Sequence, residues 1–243
     1  LQNGTRQYQH HQNNMGSFVG PDIVDNGLVF AIDAGSERSY PGTGTTVTSL
    51  VNSSTVTLEN GVSFVTDNGG TWDFDGTDDY IQTNFGQNIV STGFSVTFFF
   101  NVTGSATQFY MQMYVSDDSN TVFRIERNGG GGASSVEFGH SPNGSGGMVE
   151  LNSNNFPSGV WHSCTIAYDG STKYIYKNGV LDTSTSASDV SFYTGAILRI
   201  AARQDGTLLP INGKMPSVKV YNRSLSAAEI LQNFNAQRSR FGL

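Results

Sequence analysis

Two groups of oxygen-bearing side chains sit close enough in sequence to share a hard cation. Asp117, Asp118 and Asn120 fall in one expected loop, and Asp75, Asp78 and Asp79 in another. Carboxylate and amide oxygens are the ligands that Ca²⁺ takes, but neither spacing is that of an EF-hand, and Asp-rich turns also cap their own backbone as Asx-turns. The cofactor expectation is therefore none, or calcium held by Asp117, Asp118 and Asn120. Tyr110, Tyr114, Tyr174, Tyr176 and Tyr193 supply rings on which a sugar face could stack while polar neighbours fix its orientation. Strand alternation already accounts for Tyr174 and Tyr176, whose rings can pack a sheet face with their hydroxyls at its edge. That leaves Tyr110, Tyr114 and Tyr193 as the glycan-binding candidates.

The groups needed for catalysis do not assemble into a set. Glu37, Glu59, Glu126, Glu137, Glu150 and Glu229 are the only glutamates, and none opens a Glu-x-Asp-x-Glu run, the strand pattern that would set two carboxylates astride a sugar bond. No Gly-x-Ser-x-Gly elbow occurs. His162 and Cys164 share a strand face, a base and a nucleophile in outline, yet a free Cys within a strand is more often a small buried hydrophobe. Gly129 to Gly132 lack the Lys-Ser/Thr and the following helix of a phosphate loop and connect two expected strands. His10 and His11, adjacent on an extended chain, point opposite ways and make a poor metal site. The chain is expected not to be an enzyme.

The elements that must position these residues are β-strands. With 243 residues, 29 of them Gly and 6 Pro, and only 14% charged, the chain describes many turns between short strands and room for one sizeable core. A net charge of −7 offers no basic stripe, so nucleic acid and anionic membrane are not expected partners. Cys164 is the only cysteine, which excludes an intrachain disulfide and a thiolate metal cluster. No apolar run reaches the ~18 residues of a membrane span, and the first residues are not expected to act as a signal peptide. Residues 1–25 begin with a Gln-, Asn- and His-rich stretch too polar to offset its own chain entropy. They read as an extended arm for assembly, with Gln7, Tyr8, Phe18 and Val19 as its contact residues, leaving 26–243 as one domain.

Leu28 to Asp33 is an apolar run of strand length, and Phe94, Val96, Phe98, Phe100 and Val102 alternate along a half-buried strand whose other face only Phe99 interrupts. Phe109, Met111, Met113 and Val115 repeat the alternation, followed by Phe123 with Ile125 and Val136 with Phe138. Asp169-Gly170 and Asn178-Gly179 close two tight turns between the next strands. Gly213 to Arg223 reads as one last strand, and Ser226-x-x-Glu229 is a capping box with Leu225 and Ile230 at its staple positions, opening a short helix.

Three phrases carry a resemblance. They are Trp161-His162 leading to Tyr168-Asp169-Gly170 and then Tyr176-x-Asn178-Gly179; Phe74-Asp75-Gly76-x-Asp78-Asp79-Tyr80-Ile81; and Val218-x-Val220-Tyr221-Asn222-Arg223-x-Leu225-Ser226-x-x-Glu229-Ile230-x-x-Asn233-Phe234. Together with the run that opens at Leu28, they reach to about Phe234 and resemble the laminin-G-like branch of the concanavalin A-like jelly rolls. The resemblance implies an all-β sandwich of two antiparallel sheets with a short C-terminal helix and the last strand beside the first. It also implies a calcium ion at one rim in many relatives, and glycan binding as the usual activity. Phe18 to Leu28, Asp33-Ala34-Gly35, Ser39-Tyr40-Pro41-Gly42 and Arg238-Ser239-Arg240-Phe241 further resemble laminin-G-like structural proteins of tailed bacteriophages, particularly marine ones. From this follows the expectation of a non-catalytic viral structural protein at the virion surface, decorating the capsid or an appendage. It would be anchored by its arm to the major capsid protein or other virion proteins and present in many copies. The alternative is a carbohydrate-binding adhesin or tail-fibre module that recognises host surface glycans.

Overall fold

Strands form wherever short apolar alternations are punctuated by turn residues. The computed structural model describes residues 21–86, 92–104, 106–115, 120–128, 134–141, 148–187, 190, 192–193, 195–204 and 209–243. Among them the strands are β1 (Leu28–Asp33), β2 (Thr46–Thr48), β3 (Thr55–Glu59), β4 (Ser63–Val65), β5 (Thr71–Asp75), β6 (Tyr80–Thr83), β7 (Phe94–Val102), β8 (Gln108–Tyr114), β9 (Thr121–Asn128), β10 (Ser135–His140), β11 (Val149–Asn155), β12 (His162–Tyr168), β13 (Thr172–Lys177), β14 (Val180–Ser186), β15 (Ile197–Ile200), β16 (Asn212–Met215) and β17 (Ser217–Tyr221). One α-helix, α1 (Ala227–Gln237), and a 3-10 turn at Arg238–Phe241 follow them.

The strands make two antiparallel sheets. One runs β14-β13-β12-β7-β16-β5-β4, with β17 also bonded to β7 and β1 added beyond β17; the other runs β11-β10-β9-β8-β15-β6-β3-β2. β7 is the spine of the first, because its nine residues are long enough to pair with β12 on one edge and with both β17 and β16 on the other. Phe94, Val96, Phe98 and Phe100 face the other sheet and join Met111, Met113, Phe123, Ile125 and Phe138 in one buried core. Across the two sheets, the rings of Phe94 and Phe123 stack at 5.2 Å. The all-β jelly roll, its two antiparallel sheets and its short C-terminal helix are therefore the architecture of the chain.

Several sequence expectations are met residue by residue. The Asn178-Gly179 turn has both residues at positive φ, 50° and 80°, the two-residue geometry that continues the strand twist, and it pairs Lys177 with Val180. Ser226 and Glu229 form the reciprocal capping box on α1, while Leu225 and Ile230 pack together in a buried cluster. Phe99, the apparent fault in the alternation, stacks with Phe234 of α1 at 6.5 Å and with Phe241 at 4.7 Å. It is the seat of the C-terminal segment.

Two expectations are corrected. Gly213 to Arg223 is two strands, not one: Pro216 has no N–H to continue a ladder, so β16 pairs with β5 and the far end of β7 while β17 pairs with β1 and the near end. The folded body also begins before residue 26. The Val24 N–H donates to Asn233 Oδ1 at 2.8 Å, the Tyr221 hydroxyl donates to the Val24 carbonyl at 3.0 Å, and Gln232 Nε2 donates to the Asp22 carbonyl at 2.8 Å. Gln7, Tyr8, Phe18, Val19 and the run Gly129 to Gly132 lie outside the described residues.

Candidate functional site

The acidic turn between β5 and β6 crosses from one sheet to the other, because β5 belongs to the nine-stranded sheet and β6 to the eight-stranded one. Gly76 makes the crossing at φ 79°, where a Cβ would stand 2.8 Å from Asn212 Cβ. The crossing gathers Asp75, Asp78 and Asp79 so that carboxylate oxygens from all three lie within 4.8 Å of one another. Thr77 N–H donates to Asp75 Oδ1 at 2.7 Å, and Asp75 N–H donates to Asp79 Oδ2 at 3.0 Å. Asp79 is 3% exposed. Burial pushes its carboxyl above the usual range, as do the charges of Asp75, Asp78 and Asp73, against the opposing pull of the Asp75 N–H. Beside it lies a polar cavity of about 330 Å³ lined by Asn60, Ser63, Asp73, Asp75, Asp79 and Asn212. These are hard oxygen donors of the kind Ca²⁺ takes. Of the residues expected to hold calcium, Asp117 and Asp118 lie outside the described residues, and Asn120 stands half-buried at the foot of β9, its carbonyl accepting the Val115 N–H at 3.1 Å.

The expected sugar platforms are not exposed rings. A bulge between Phe109 and Met111 shifts the register of β8 against β9, so Tyr110 turns into the core beside Phe98 and Phe100, with centroids at 5.4 and 4.6 Å. Bulges place two successive residues against one on the partner strand, which the alternation alone does not reveal. Tyr114 is 6% exposed, its hydroxyl donating to the Gln204 carbonyl at 3.3 Å and its ring covered by the Arg199 guanidinium. Tyr193 packs half-buried against the core.

An aromatic cleft lies elsewhere, where the β12–β13 turn meets the segment between β17 and α1. It has a volume of about 330 Å³ and is lined by Asp169, Tyr174, Tyr176, Ser224, Leu225, Ser226 and Ala227. Tyr176 and Leu225 are buried, whereas Asp169, Ser226 and Ala227 are exposed and Tyr174 is intermediate. The rings of Tyr174 and Tyr176, two residues apart on one strand face, lie 6.4 Å apart. Asp169 Oδ1 accepts from Ser171 N–H at 2.9 Å, Ser171 Oγ at 2.9 Å and Thr172 N–H at 2.8 Å; its Oδ2 accepts from the Tyr174 hydroxyl at 2.8 Å. Burial raises the Asp169 carboxyl somewhat, but these donors outweigh it and hold the group below its ordinary range. The same bond raises the Tyr174 hydroxyl. An ionised carboxylate thus fixes the edge of a partly exposed ring. Sequence reasoning passed over this pair because the turn explains Asp169 and the alternation explains Tyr174.

Three glutamates far apart in sequence converge on one guanidinium. Arg124 Nη2 stands 3.3 Å from Glu126, 2.9 Å from Glu137 and 2.6 Å from Glu150. Burial pushes Glu126 up to about 8, against the pull of Arg124 and with the help of its neighbour Glu137. Paired carboxylates of a glycosidase need a sugar between them; here an arginine occupies that place. His162 and Cys164 both face inward, Cys164 wholly buried with its thiol pushed up by burial. His162 Nε2 lies 3.0 Å from the Pro157 carbonyl, and burial lowers its pKa.

A sequence profile described as the concanavalin A-like lectin/glucanases superfamily matches residues 75–231, more than half of the chain. The chain belongs to that superfamily. No curated protein matches this superfamily member in sequence. Solved structures similar to it include domain 4 of AbnA, an extracellular arabinanase of Geobacillus stearothermophilus in complex with arabinotriose, with TM-score 0.62 and 15% identity over 86% of this chain and 98% of that one. The botulinum neurotoxin type G receptor-binding domain aligns with TM-score 0.65 and 13% identity over 86% of this chain and 51% of that one. The botulinum neurotoxin serotype D domain in complex with N-acetylneuraminic acid gives 0.67 and 11% over 87% and 51%. This superfamily member therefore spans about half the length of those toxin chains. At such identities the likeness is one of fold.

Proposed function

We propose that this jelly roll is a non-catalytic carbohydrate-binding module and that the Tyr174 cleft is its sugar site. The observation that carries the proposal is the tyrosine ring held at its edge by an ionised aspartate beside an open cleft, the combination of stacking face and fixed polar group that sugars require. Support also comes from the arabinanase domain solved with a trisaccharide, which this chain matches over 98% of that domain's length. Affinity electrophoresis through a panel of soluble polysaccharides, arabinan included, tests it. Tyr174→Ala is expected to weaken retention by about tenfold, the loss of one stacked ring, without lowering the thermal midpoint by more than a few degrees. Equal retention of both proteins on every polysaccharide that binds would remove the cleft from consideration.

The proposed calcium site is the turn of Asp75, Asp78 and Asp79, apart from the sugar site. The acidic turn reaches the Val102 end of β7 through β16, while Asp169 follows Tyr168 at the Phe94 end, and nine strand residues separate the two ends by on the order of 25–30 Å. Millimolar calcium is expected to raise the thermal midpoint of the protein and to leave that of Asp79→Asn unchanged. Sugar retention is expected to survive EDTA. Loss of retention on chelation would place the metal at the sugar instead.

The setting proposed for the module is the surface of a phage particle, in many copies, held by residues 1–20 and neighbouring copies. The phrases between Phe18 and Gly42 and at Arg238 to Phe241 support it, and Asp22 and Val24 give those residues a fixed point of departure beside α1. Removing residues 1–20, and not 1–25, keeps those contacts. Loss of binding to undecorated capsids on that truncation is the expected result, and binding by neither form would remove capsid decoration.

A further inference from the structure

The sugar reading can be carried to a class of sugar, because the one charged side chain lining the cleft is the carboxylate of Asp169. Asp169 Oδ1 is filled by three donors, and Oδ2 by one, the Tyr174 hydroxyl, which leaves Oδ2 able to accept again. Having given its only proton to Asp169, the Tyr174 hydroxyl offers a ligand lone pairs alone. Ser226 Oγ is spent on the capping box, donating to Glu229 Oε2 and accepting the Glu229 N–H. Asp169 and Tyr174 therefore present acceptors, while Tyr176 and Ser224 also line the cleft with hydroxyls that can donate.

Its positive features are cancelled in place. The N-terminus of α1 opens at Ser226 and Ala227 on the cleft wall, and Glu229 sits on it, accepting Ser226 N–H at 2.8 Å. Arg223, the nearest cation of that segment, is engaged at both terminal guanidinium nitrogens by Glu229, at 2.7 and 2.9 Å. No lysine or arginine is among the residues lining the cleft. Asp169 remains as an uncompensated negative charge on the rim, ionised across the neutral range.

We propose that the Tyr174 cleft selects neutral oligosaccharides, whose hydroxyls donate to Asp169 Oδ2 and Tyr174 Oη, and rejects uronic and sialic acid sugars. The inference rests on the reading of this cleft as the sugar site. A carboxylated sugar brings a negative charge to within a few ångströms of Asp169 and no proton for Asp169 Oδ2 or Tyr174 Oη to accept from its carboxylate, and like charges juxtaposed at a binding surface disfavour the wrong partner.

The test uses the full chain and ligand pairs that differ in acidic groups: galactotriose against trigalacturonate, which carries three carboxylates, and lactose against 3′-sialyllactose, which carries one, within a wider glycan array of neutral and acidic pairs. In every pair with a retained member the neutral one is expected to bind at least about tenfold more tightly at low salt, a gap that narrows as salt screens the rim charge. Asp169→Asn keeps an acceptor for the Ser171 and Thr172 N–H groups, so the turn survives, and it is expected to bring the two members of a pair to within about threefold. Acidic members bound as well as neutral ones by the wild type, with Tyr174→Ala abolishing both, would overturn the selectivity and leave the sugar site standing. Glycan binding that ignores Tyr174→Ala, or no glycan bound at all, would take down the sugar site itself. A preference for neutral sugars that persists unchanged in Asp169→Asn would also overturn the inference, since the carboxylate would not be its source.

Discussion

Replacing Arg124 with methionine is expected to lower folding stability by about 3–5 kcal/mol at neutral pH, the loss found when one partner of a buried ionic cluster is removed. Arg124 on β9 serves Glu126 on its own strand, Glu137 on β10 and Glu150 on β11. The Glu126 and Glu137 side chains are only 9% and 2% exposed. Methionine keeps much of the apolar stem, so the loss reports charge. Even with Arg124 present, Glu126 is raised from 4.5 to about 8. Its folded form therefore holds a proton that the unfolded chain has released, and stability present below about pH 4.5 is lost as pH rises towards 8, by on the order of a few kcal/mol. Burial raises Glu150 in the same direction. Urea unfolding followed from about pH 4.5 to 8 should show this decline in the wild type and a much flatter profile in Glu126→Gln, and the penalty of Arg124→Met should shrink towards the acid end. A penalty of equal size at both ends would mean that Arg124 acts through packing alone.

That cluster illustrates what the sequence could not disclose. Glu126, Glu137 and Glu150 have no common local pattern; they meet because β9, β10 and β11 are neighbours in register, with Glu126 directly opposite Glu137. Local signals, by contrast, were legible where the physics is local. The Asn178-Gly179 turn is dictated by the positive φ it demands, and the capping box by four consecutive positions. Alternation located β7 to the residue and pointed to Phe99 as an apolar side chain on the wrong face, which is where α1 and Phe241 dock.

The candidate site was harder to read for two different reasons. Tyr110 failed as a platform because one extra residue in β8 reverses which side a ring takes, and no side-chain period announces a bulge. The Tyr174 cleft was missed because each residue in it has a sufficient local explanation. Its meaning arises only when Ser224 to Ala227, some fifty positions onward, close the other wall. The Asp75, Asp78 and Asp79 turn was visible as a cluster, yet its place on the rim follows from β5 and β6 entering different sheets, which alternation in each strand does not encode.

Arg240→Ala is expected to lower stability by about 2–4 kcal/mol, because one planar fork joins three separate segments and its removal strands their acceptors together. Its Nη1 lies 2.8 and 3.1 Å from the two Asp33 oxygens at the end of β1. Its Nε and Nη2 donate to the carbonyls of Asn68 and Gly70, and Asn68 Nδ2 returns a bond to the Arg240 carbonyl at 2.9 Å. Gly35 is held so close that a Cβ there would lie 2.2 Å from the Gly69 carbonyl oxygen; the guanidinium fills a gap that tolerates nothing bulkier beside it. Lysine supplies a charge but a single point of donation, so Arg240→Lys should recover less than half of the loss. Phe241 packs on Trp161 at 4.7 Å and on Phe99 at 4.7 Å, so loosening the arginine should free this ring stack before the sandwich opens. The expected signature is a red-shifted Trp161 emission below the main transition, read in a Trp72→Phe background, together with faster amide exchange around residues 67–70. A variant that unfolds in one step within about 1 kcal/mol of the wild type would show that the aromatic stack alone secures the C-terminal segment.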